Sequence, residues 1–151
     1  MKVYLDVSCL NRPFDDQSQP RIHREAEAVL PVLDRCETAN WTHVASAASR
    51  WEIDAGRDMV RRNRVALLLP EEHAILELTE PVFARAEQLE ELGFAAVDAV
   101  HLAAAESMGT DVFLSCDDRL CRRAARHATK LKVQVANPLD WLTEVDHVDD
   151  A

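Results

Sequence analysis

Four acidic residues stand beside residues that a fold must bury, where a charge is costly. Asp6 follows the apolar run "VYL", and Asp117 follows "VFLSC". Asp98 lies within "AAVDAVHLAAA", and Glu52 lies early in a long helical segment. An isolated buried carboxylate loses solvation, and its pKa rises. We therefore predict that the fold gathers the four side chains around a divalent cation.

The chemistry of these acids favours a hard metal ion. Carboxylate oxygens suit Mg²⁺ or Mn²⁺, whereas zinc sites use Cys and His. The four cysteines show no CxxC or Cys–His spacing, and we expect them to be reduced and apolar in role. One bound ion would activate water, and two ions ~3.5–4 Å apart would clamp a phosphodiester. The acids thus predict metal-dependent phosphodiester hydrolysis without a histidine base.

The elements that must position these acids alternate along the chain. Short runs rich in Val, Ile and Leu predict strands, and longer segments between them have helical spacing. This alternation predicts an α/β fold, a three-layer α/β/α domain with a short, mostly parallel central sheet. Functional groups in such sheets gather at the carboxyl ends of the strands, where Asp6 and Asp117 lie. The predicted strands are 2–6, 41–44, 74–78, 111–115 and 132–135.

Two predicted helices contain an interruption. The segment 21–37 has helical spacing, and Pro31 within it should bend the helix or start a new one. The segment 46–69, which carries Glu52, is expected to form one long helix with Gly56 as a weak point.

Length and composition favour one globular domain. The 151 residues are 48% hydrophobic, with three glycines and six prolines. We expect a single domain over 1–145 and a frayed tail over 146–151. No apolar run approaches the ~18 residues of a membrane span, and the start "MKVYLD" does not resemble a signal peptide. The sequence therefore predicts a cytoplasmic protein without a membrane partner.

Five stretches resemble, in order along the chain, the PIN-domain family and its VapC-type toxins. They are "VYLDVSCLN", "SAASRWEIDAG", "GFAAVDAVHLAAAES", "FLSCDDRL" and "VANPLDWL". The resemblance implies a ribonuclease whose catalytic, metal-binding acids are Asp6, Glu52, Asp98 and Asp117. It also implies supporting roles for Ser8, Ser115 and Asp118. The chain departs from the family pattern at Val7 and Ser115, where Thr is usual, and at Leu120, where an aromatic residue is common.

The resemblance also implies a biological role. It suggests a Mg²⁺- or Mn²⁺-dependent endoribonuclease that is the toxin of a type II toxin–antitoxin pair. The implied partners are an RNA substrate, a cognate antitoxin that blocks the acidic pocket, and a second copy in a homodimer. The alternative is a catalytically inactive PIN-like module that binds RNA or protein. A haloacid-dehalogenase-like phosphatase is disfavoured because Ser8 stands where its second Asp would be.

Other roles for the same acids remain open at this stage. Asp6 and Asp117 also suit helix N-caps or turns that accept backbone hydrogen bonds. Glu52 also suits a solvated helix face, and Asp54 and Asp58 lie close to it. His101 is expected to pack in the core or to orient an acid, and not to bind metal.

Clusters of arginine bear on a possible nucleic-acid substrate. The formal net charge of −10 argues against nonspecific adhesion to nucleic acid. Arginines nevertheless recur on one face of two predicted helices, either as solvated faces or as rims that grip RNA phosphates. One stripe is Arg119, Arg122, Arg123 and Arg126, and the other is Arg57, Arg61 and Arg64.

Overall fold

A parallel five-stranded sheet forms the centre of the structure, a computed structural model that describes residues 1–38 and 40–149. The strand order is β3-β2-β1-β4-β5, and each neighbouring pair is parallel. Helices cover both faces, which confirms the three-layer α/β/α prediction. The strands are β1 (Lys2–Leu5), β2 (Thr42–Ser46), β3 (Ile75–Leu76), β4 (Val112–Leu114) and β5 (Gln134–Ala136).

The helices fill the connections between strands. Three short 3₁₀ turns, Arg12–Phe14, Glu72–Ala74 and Ala128–Lys130, accompany them. The α-helices are α1 (Val7–Asn11), α2 (Pro20–Thr38), α3 (Ala47–Asp54), α4 (Met59–Ala66), α5 (Glu80–Glu91), α6 (Ala96–Ser107), α7 (Asp118–Arg126) and α8 (Pro138–Asp149).

Side-chain alternation in β1 builds two hydrophobic cores. Val3 and Leu5 point to one face and pack in a core that includes residues of α1, α2 and α8. Tyr4 points to the other face and packs with residues of α5, α6 and α7. All three side chains are fully buried, so β1 is the central strand of both cores.

The strand order reverses between the neighbouring strands β1 and β4, because the chain passes from β3 at one edge of the sheet to β4 on the other side of β1. Strands β2 and β3 lie on one side of β1, whereas β4 and β5 lie on the other. Such a change of direction opens a crevice at the carboxyl ends of the strands. Asp6 follows β1 and Asp117 lies just beyond β4, so both acids lie at this crevice.

The prediction of one long helix over 46–69 is wrong, because this segment forms two helices, α3 and α4. Gly56 lies in the break, and Asp58 caps the second helix by accepting hydrogen bonds from the backbone N–H groups of Val60 and Arg61. In contrast, α2 runs through Pro31 as one helix. Helix α8 continues through Asp149, into the segment 146–151 expected to fray, and residues 150–151 lie outside the described part of the chain.

All four cysteines are free thiols. Cys9 and Cys116 are buried, and Cys36 and Cys121 are half-buried. This agrees with the expectation that the cysteines are reduced and pack as small apolar side chains. Within residues 1–38 and 40–149, none of the helices combines the length and apolar character needed to cross a membrane.

Candidate metal centre

Asp6 lies at the N-terminus of α1, but its carboxylate does not cap that helix. Its backbone carbonyl accepts the N–H groups of Cys9 and Leu10, and the side chain makes no capping hydrogen bond. The residue is only 5% exposed. Burial raises the pKa of Asp6, and the charge of Glu52 adds to this, while His101, Ser115 and Ser8 act in the opposite direction. The geometry disfavours the N-cap role.

Two serines hold one oxygen of Asp6. Ser8 and Ser115 donate their hydroxyl hydrogens to Asp6 Oδ2 over 2.9 and 2.8 Å. The same hydroxyl oxygens accept the backbone N–H groups of Cys116 and Asp117, each over 3.0 Å. The serines thereby connect the end of β1 to the loop after β4 and hold the carboxylate of Asp6.

Asp117 and Asp118 are neighbours with different environments. Asp117 Oδ1 caps α7 by accepting the N–H groups of Arg119 and Leu120 over 2.9 and 3.3 Å. Asp118 pairs through both oxygens with Arg21, over 2.7 and 2.5 Å, and this pairing lowers the pKa of Asp118. Asp118 is therefore turned to an exposed ion pair, whereas Asp117 adjoins the serines that hold Asp6.

Glu52 reaches the centre from α3. That helix begins at the carboxyl end of β2 because Ser46 and Ser49 form a reciprocal capping box. The side chain of Glu52 is 32% exposed, and its Oε1 lies 3.6 Å from His101 Nε2. Glu52 is therefore a partly buried acid beside His101, rather than a fully solvated one.

Asp98 lies in the first turn of α6, where the charges of the other acids affect its ionisation. Burial raises its pKa to about 6, and the charges of Asp6, Asp117 and Glu52 contribute to the rise. The favourable charge of His101 only partly opposes them. Three acids from distant parts of the sequence are thus close enough to Asp98 to disfavour its ionisation.

His101 is the residue whose position the sequence did not resolve. It is fully buried one turn beyond Asp98, and its Nδ1 lies 2.6 Å from the hydroxyl of Tyr4. A ring nitrogen of His101 and carboxylate oxygens of Asp6 and Glu52 all lie within 4.8 Å of one another. The i, i+3 spacing from Asp98 was the available signal, because it places both side chains on the same helix face.

The donor set suits a hard divalent cation. Asp6 and Glu52 belong to the close cluster, while Asp98 and Asp117 lie outside the 4.8 Å set but close enough for Asp117 to raise the pKa of Asp98. Carboxylates that disfavour each other's charge are stabilised by a cation between them. Their oxygen chemistry fits Mg²⁺ or Mn²⁺ better than zinc.

The arginines of α7 divide into exposed and engaged side chains. Arg119, Arg122 and Arg126 are exposed on the helix that begins beside Asp117. Arg123 instead donates to the carbonyl of Leu92 over 3.3 Å, and its guanidinium occupies the space that a Cβ at position 93 would need. Gly93 also has a φ of 100°, so both geometry and space require glycine there.

A second basic region adjoins Glu52. A cleft of about 270 Å³ is lined by Glu52 together with Arg57, Arg61 and Arg62. Arg61 pairs with Asp15 and donates to Asn11, whereas Arg57 is exposed. Positive charge therefore lies beside the acidic centre.

Comparison with known proteins identifies related sequences and folds. The chain matches the model of the PIN domain family over residues 3–126. None of the curated proteins matches it.

Two solved structures resemble the fold. One is a chain of VapBC2 from Rickettsia felis, which is bound to a DNA fragment from the VapBC2 promoter, with a TM-score of 0.58 and 10% sequence identity. The other is a chain of VapBC-1 from nontypeable Haemophilus influenzae, with a TM-score of 0.53 and 16% identity. Each match covers 91% of this chain and 98% of the other. At these identities the likeness concerns the fold.

Proposed function

The chain belongs to the PIN domain family, and we propose that it is a metal-dependent endoribonuclease that hydrolyses RNA phosphodiesters. The observation that carries this proposal is geometric: carboxylate oxygens of Asp6 and Glu52 lie within 4.8 Å of each other. Asp98 lies close enough to both for their charges, after burial, to raise its pKa to about 6. Clustered carboxylates disfavour each other's ionisation, and a bound cation removes that penalty.

The proposed ligands of Mg²⁺ or Mn²⁺ are Asp6, Glu52, Asp98 and Asp117. A bound ion would supply positive charge to the phosphodiester oxygens and lower the pKa of a bound water. Ser8 and Ser115 orient Asp6 through Oδ2, which leaves Oδ1 without a hydrogen bond from the described residues. Asp117 likewise caps α7 through Oδ1, and its Oδ2 has no hydrogen bond from the described residues.

Positive side chains at the rim would position the RNA. Arg119, Arg122 and Arg126 are exposed along α7, and Arg57 is exposed in the cleft beside Glu52. Guanidinium groups bind phosphate through paired N–H donors, and such contacts position a strand without reading its sequence. This arrangement would let a protein with a net charge of −10 hold a polyanion next to its acidic pocket.

The structural relatives suggest the cellular context. Both are named as VapBC proteins, and one is described as bound to a promoter DNA fragment. We extend this to the chain as a toxin of a type II pair, acting in the cytoplasm as a homodimer and neutralised by a small antitoxin. A short neighbouring reading frame whose product binds this protein and stops RNA cleavage would support that role.

A cleavage assay with matched variants tests the activity. Labelled single-stranded RNA is incubated with purified protein and Mn²⁺, with and without EDTA. We expect cleavage that EDTA stops and added Mn²⁺ restores. Asp117→Asn should abolish cleavage, whereas Asp118→Asn should retain it, because Asp118 pairs with Arg21. Asp98→Asn should also abolish cleavage, and the exposed Asp140 provides its control as Asp140→Asn.

The outcomes separate the two principal hypotheses. RNA cleavage that persists in Asp98→Asn would remove the proposed role of the pocket. Mn²⁺ binding and RNA binding without any cleavage would instead support the catalytically inactive PIN-like module.

A further inference from the structure

The hydroxyl of Tyr4 is the centre of a buried hydrogen-bond network. It lies 2.8 Å from Ser46 Oγ, 3.1 Å from Ser49 Oγ and 2.6 Å from His101 Nδ1. All four side chains are completely buried. Each hydrogen in the network must therefore find its acceptor within the protein.

The two serines can be assigned as donors to Tyr4. Ser46 Oγ accepts the N–H of Ala48, and Ser49 Oγ accepts the N–H of Ser46, so both oxygens already act as acceptors. Each serine still has one hydroxyl hydrogen, and among the described residues Tyr4 Oη is the shared side-chain acceptor within reach. Tyr4 Oη has two lone pairs, which these two hydrogens fill.

This assignment fixes the direction of the remaining hydrogen bond. Tyr4 has one hydroxyl hydrogen, and His101 Nδ1 is the partner left to receive it. Nδ1 then acts as an acceptor, so a neutral imidazole in this network carries its hydrogen on Nε2. Burial lowers the pKa of His101, but the contact with Glu52 and the charges of Asp6 and Asp98 raise it overall, so the assignment concerns the neutral ring above that raised pKa.

Nε2 faces the acidic pocket. It is buried without a hydrogen-bond partner among the described residues and lies 3.6 Å from Glu52 Oε1. Glu52 is 32% exposed, so its side chain has room for the small rotation that would complete this hydrogen bond. A donor at this position also faces the carboxylate of Asp6, which belongs to the same cluster.

We propose that His101 is a positioning residue that donates Nε2–H to Glu52, that Tyr4 fixes this tautomer, and that His101 is not a metal ligand. The proposal deepens the proposed function and rests on it only where Glu52 is assigned to the metal. Coordination by Nε2 would need its lone pair and therefore the opposite tautomer. Tyr4 would then have to accept from Nδ1, and a buried serine hydrogen would lose its acceptor. The close cluster thus divides into carboxylates that bind the ion and a histidine that orients one of them.

The tautomer can be measured directly on the metal-free protein. Two-bond ¹H–¹⁵N NMR spectra of ¹⁵N-histidine-labelled protein, assigned with His101→Gln, report which ring nitrogen of His101 carries hydrogen. At a pH high enough to keep the ring neutral, we expect hydrogen on Nε2 and none on Nδ1, and we expect the same after Mg²⁺ is added. An unprotonated Nε2 in the free protein, or loss of its hydrogen when Mg²⁺ binds, would overturn the proposal.

The role of Tyr4 has its own measurement. Tyr4→Phe removes the hydroxyl that donates to Nδ1, so the ¹⁵N spectrum of His101 should show a larger fraction of the Nδ1–H form. A second variant, Ser49→Ala, removes one serine donor but keeps Tyr4, and should leave His101 in the Nε2–H form. An unchanged tautomer in Tyr4→Phe would contradict the assignment of Tyr4.

Conservative replacement separates positioning from packing. His101→Gln carries an amide N–H donor close to the place of Nε2, whereas His101→Leu keeps bulk without a donor. Calorimetric titration with Mn²⁺ should give a dissociation constant within about threefold of wild type for His101→Gln and about tenfold weaker for His101→Leu. Equal affinities in two folded variants, as judged by circular dichroism, would overturn the positioning role. If wild-type protein binds no Mn²⁺, the proposed function fails, and the ¹⁵N spectra still decide the tautomer.

Discussion

Ser115 donates its hydroxyl hydrogen to Asp6 Oδ2 over 2.8 Å, although 109 residues separate the two in sequence. The contact exists because β1 and β4 are neighbouring parallel strands whose carboxyl ends lie side by side. The same serine accepts the backbone N–H of Asp117. One small side chain therefore sets the distance between two of the proposed metal ligands.

Replacing Ser115 should weaken metal binding more than it weakens the fold. In Ser115→Ala, Asp6 loses one of two hydroxyl donors, and the N–H of Asp117 loses its acceptor. We expect the Mn²⁺ affinity to fall by about tenfold and the free energy of unfolding by about 1 kcal/mol. Calorimetric titration and urea denaturation measure the two effects. The control is Ser107→Ala, whose hydroxyl donates to Ala104 of its own helix and should affect neither quantity strongly.

Asp6→Asn should stabilise the metal-free protein. Burial raises the pKa of Asp6 in the folded protein above its ordinary value of 3.8. The protonated side chain therefore stabilises the fold below pH 3.8, and this stabilisation is lost as the pH rises through the folded-state pKa. At pH 7 the neutral amide therefore removes the penalty of a buried carboxylate charge. Saturating Mg²⁺ should reverse the order, because it stabilises only the protein that binds it.

Urea denaturation of both proteins, with and without Mg²⁺, tests this reversal. Asp140→Asn serves as a control because Asp140 is exposed and should respond to Mg²⁺ as wild type does. A metal-free Asp6→Asn protein less stable than wild type would contradict the expected repulsion.

Much of the fold could be predicted because local patterns and burial agreed. Apolar runs marked all five strands, and the position of Asp6 after the first run marked a carboxyl end of the sheet. The break near Gly56 was recognised only as a weak point, because the same residues also have good helical spacing. The segment forms two helices because Asp58 caps the N-terminus of α4.

The candidate site was less predictable where long-range geometry decides a role. Asp117 and Asp118 are adjacent and chemically alike, and the folded contacts distinguish them, because Asp118 pairs with Arg21 whereas Asp117 caps α7. Tyr4 reads as a core aromatic residue, and nothing local indicates that its hydroxyl meets His101, 97 positions away. Hydrogen bonds between distant elements leave no periodic pattern in a sequence.

Reversing an exposed arginine on α7 should weaken RNA binding without regard to RNA sequence. Arg122→Glu removes one positive charge near Asp117 and adds a negative one. In an Asp98→Asn background, which prevents cleavage, we expect weaker binding and a salt-dependence slope that is shallower by about 1. Fluorescence polarisation over a salt series measures both. Lys132→Glu makes the same charge change just before β5, at the amino-terminal end of the parallel strands and away from the crevice, and should bind RNA nearly as wild type does. Equal affinities for the two variants would leave the α7 arginines as a solvated face.

His43 should make the protein less stable as the pH falls below neutrality. Its side chain lies in β2, and burial lowers its pKa from 6.5 to about 4. Between these values the unfolded chain binds a proton that the folded protein does not, so stability is full above pH 6.5 and falls toward pH 4. The loss is about 3 kcal/mol at most.

Asp6 and Asp98 have raised pKa values and act in the opposite direction, so the effect of His43 must be measured by comparison with a variant. The free energy of unfolding of wild type minus that of His43→Leu should therefore decrease steadily from pH 7 to pH 4.5. His73→Leu, at an exposed histidine, should show the pH dependence of wild type, and a His43→Leu difference that is constant with pH would show that His43 titrates alike in both states.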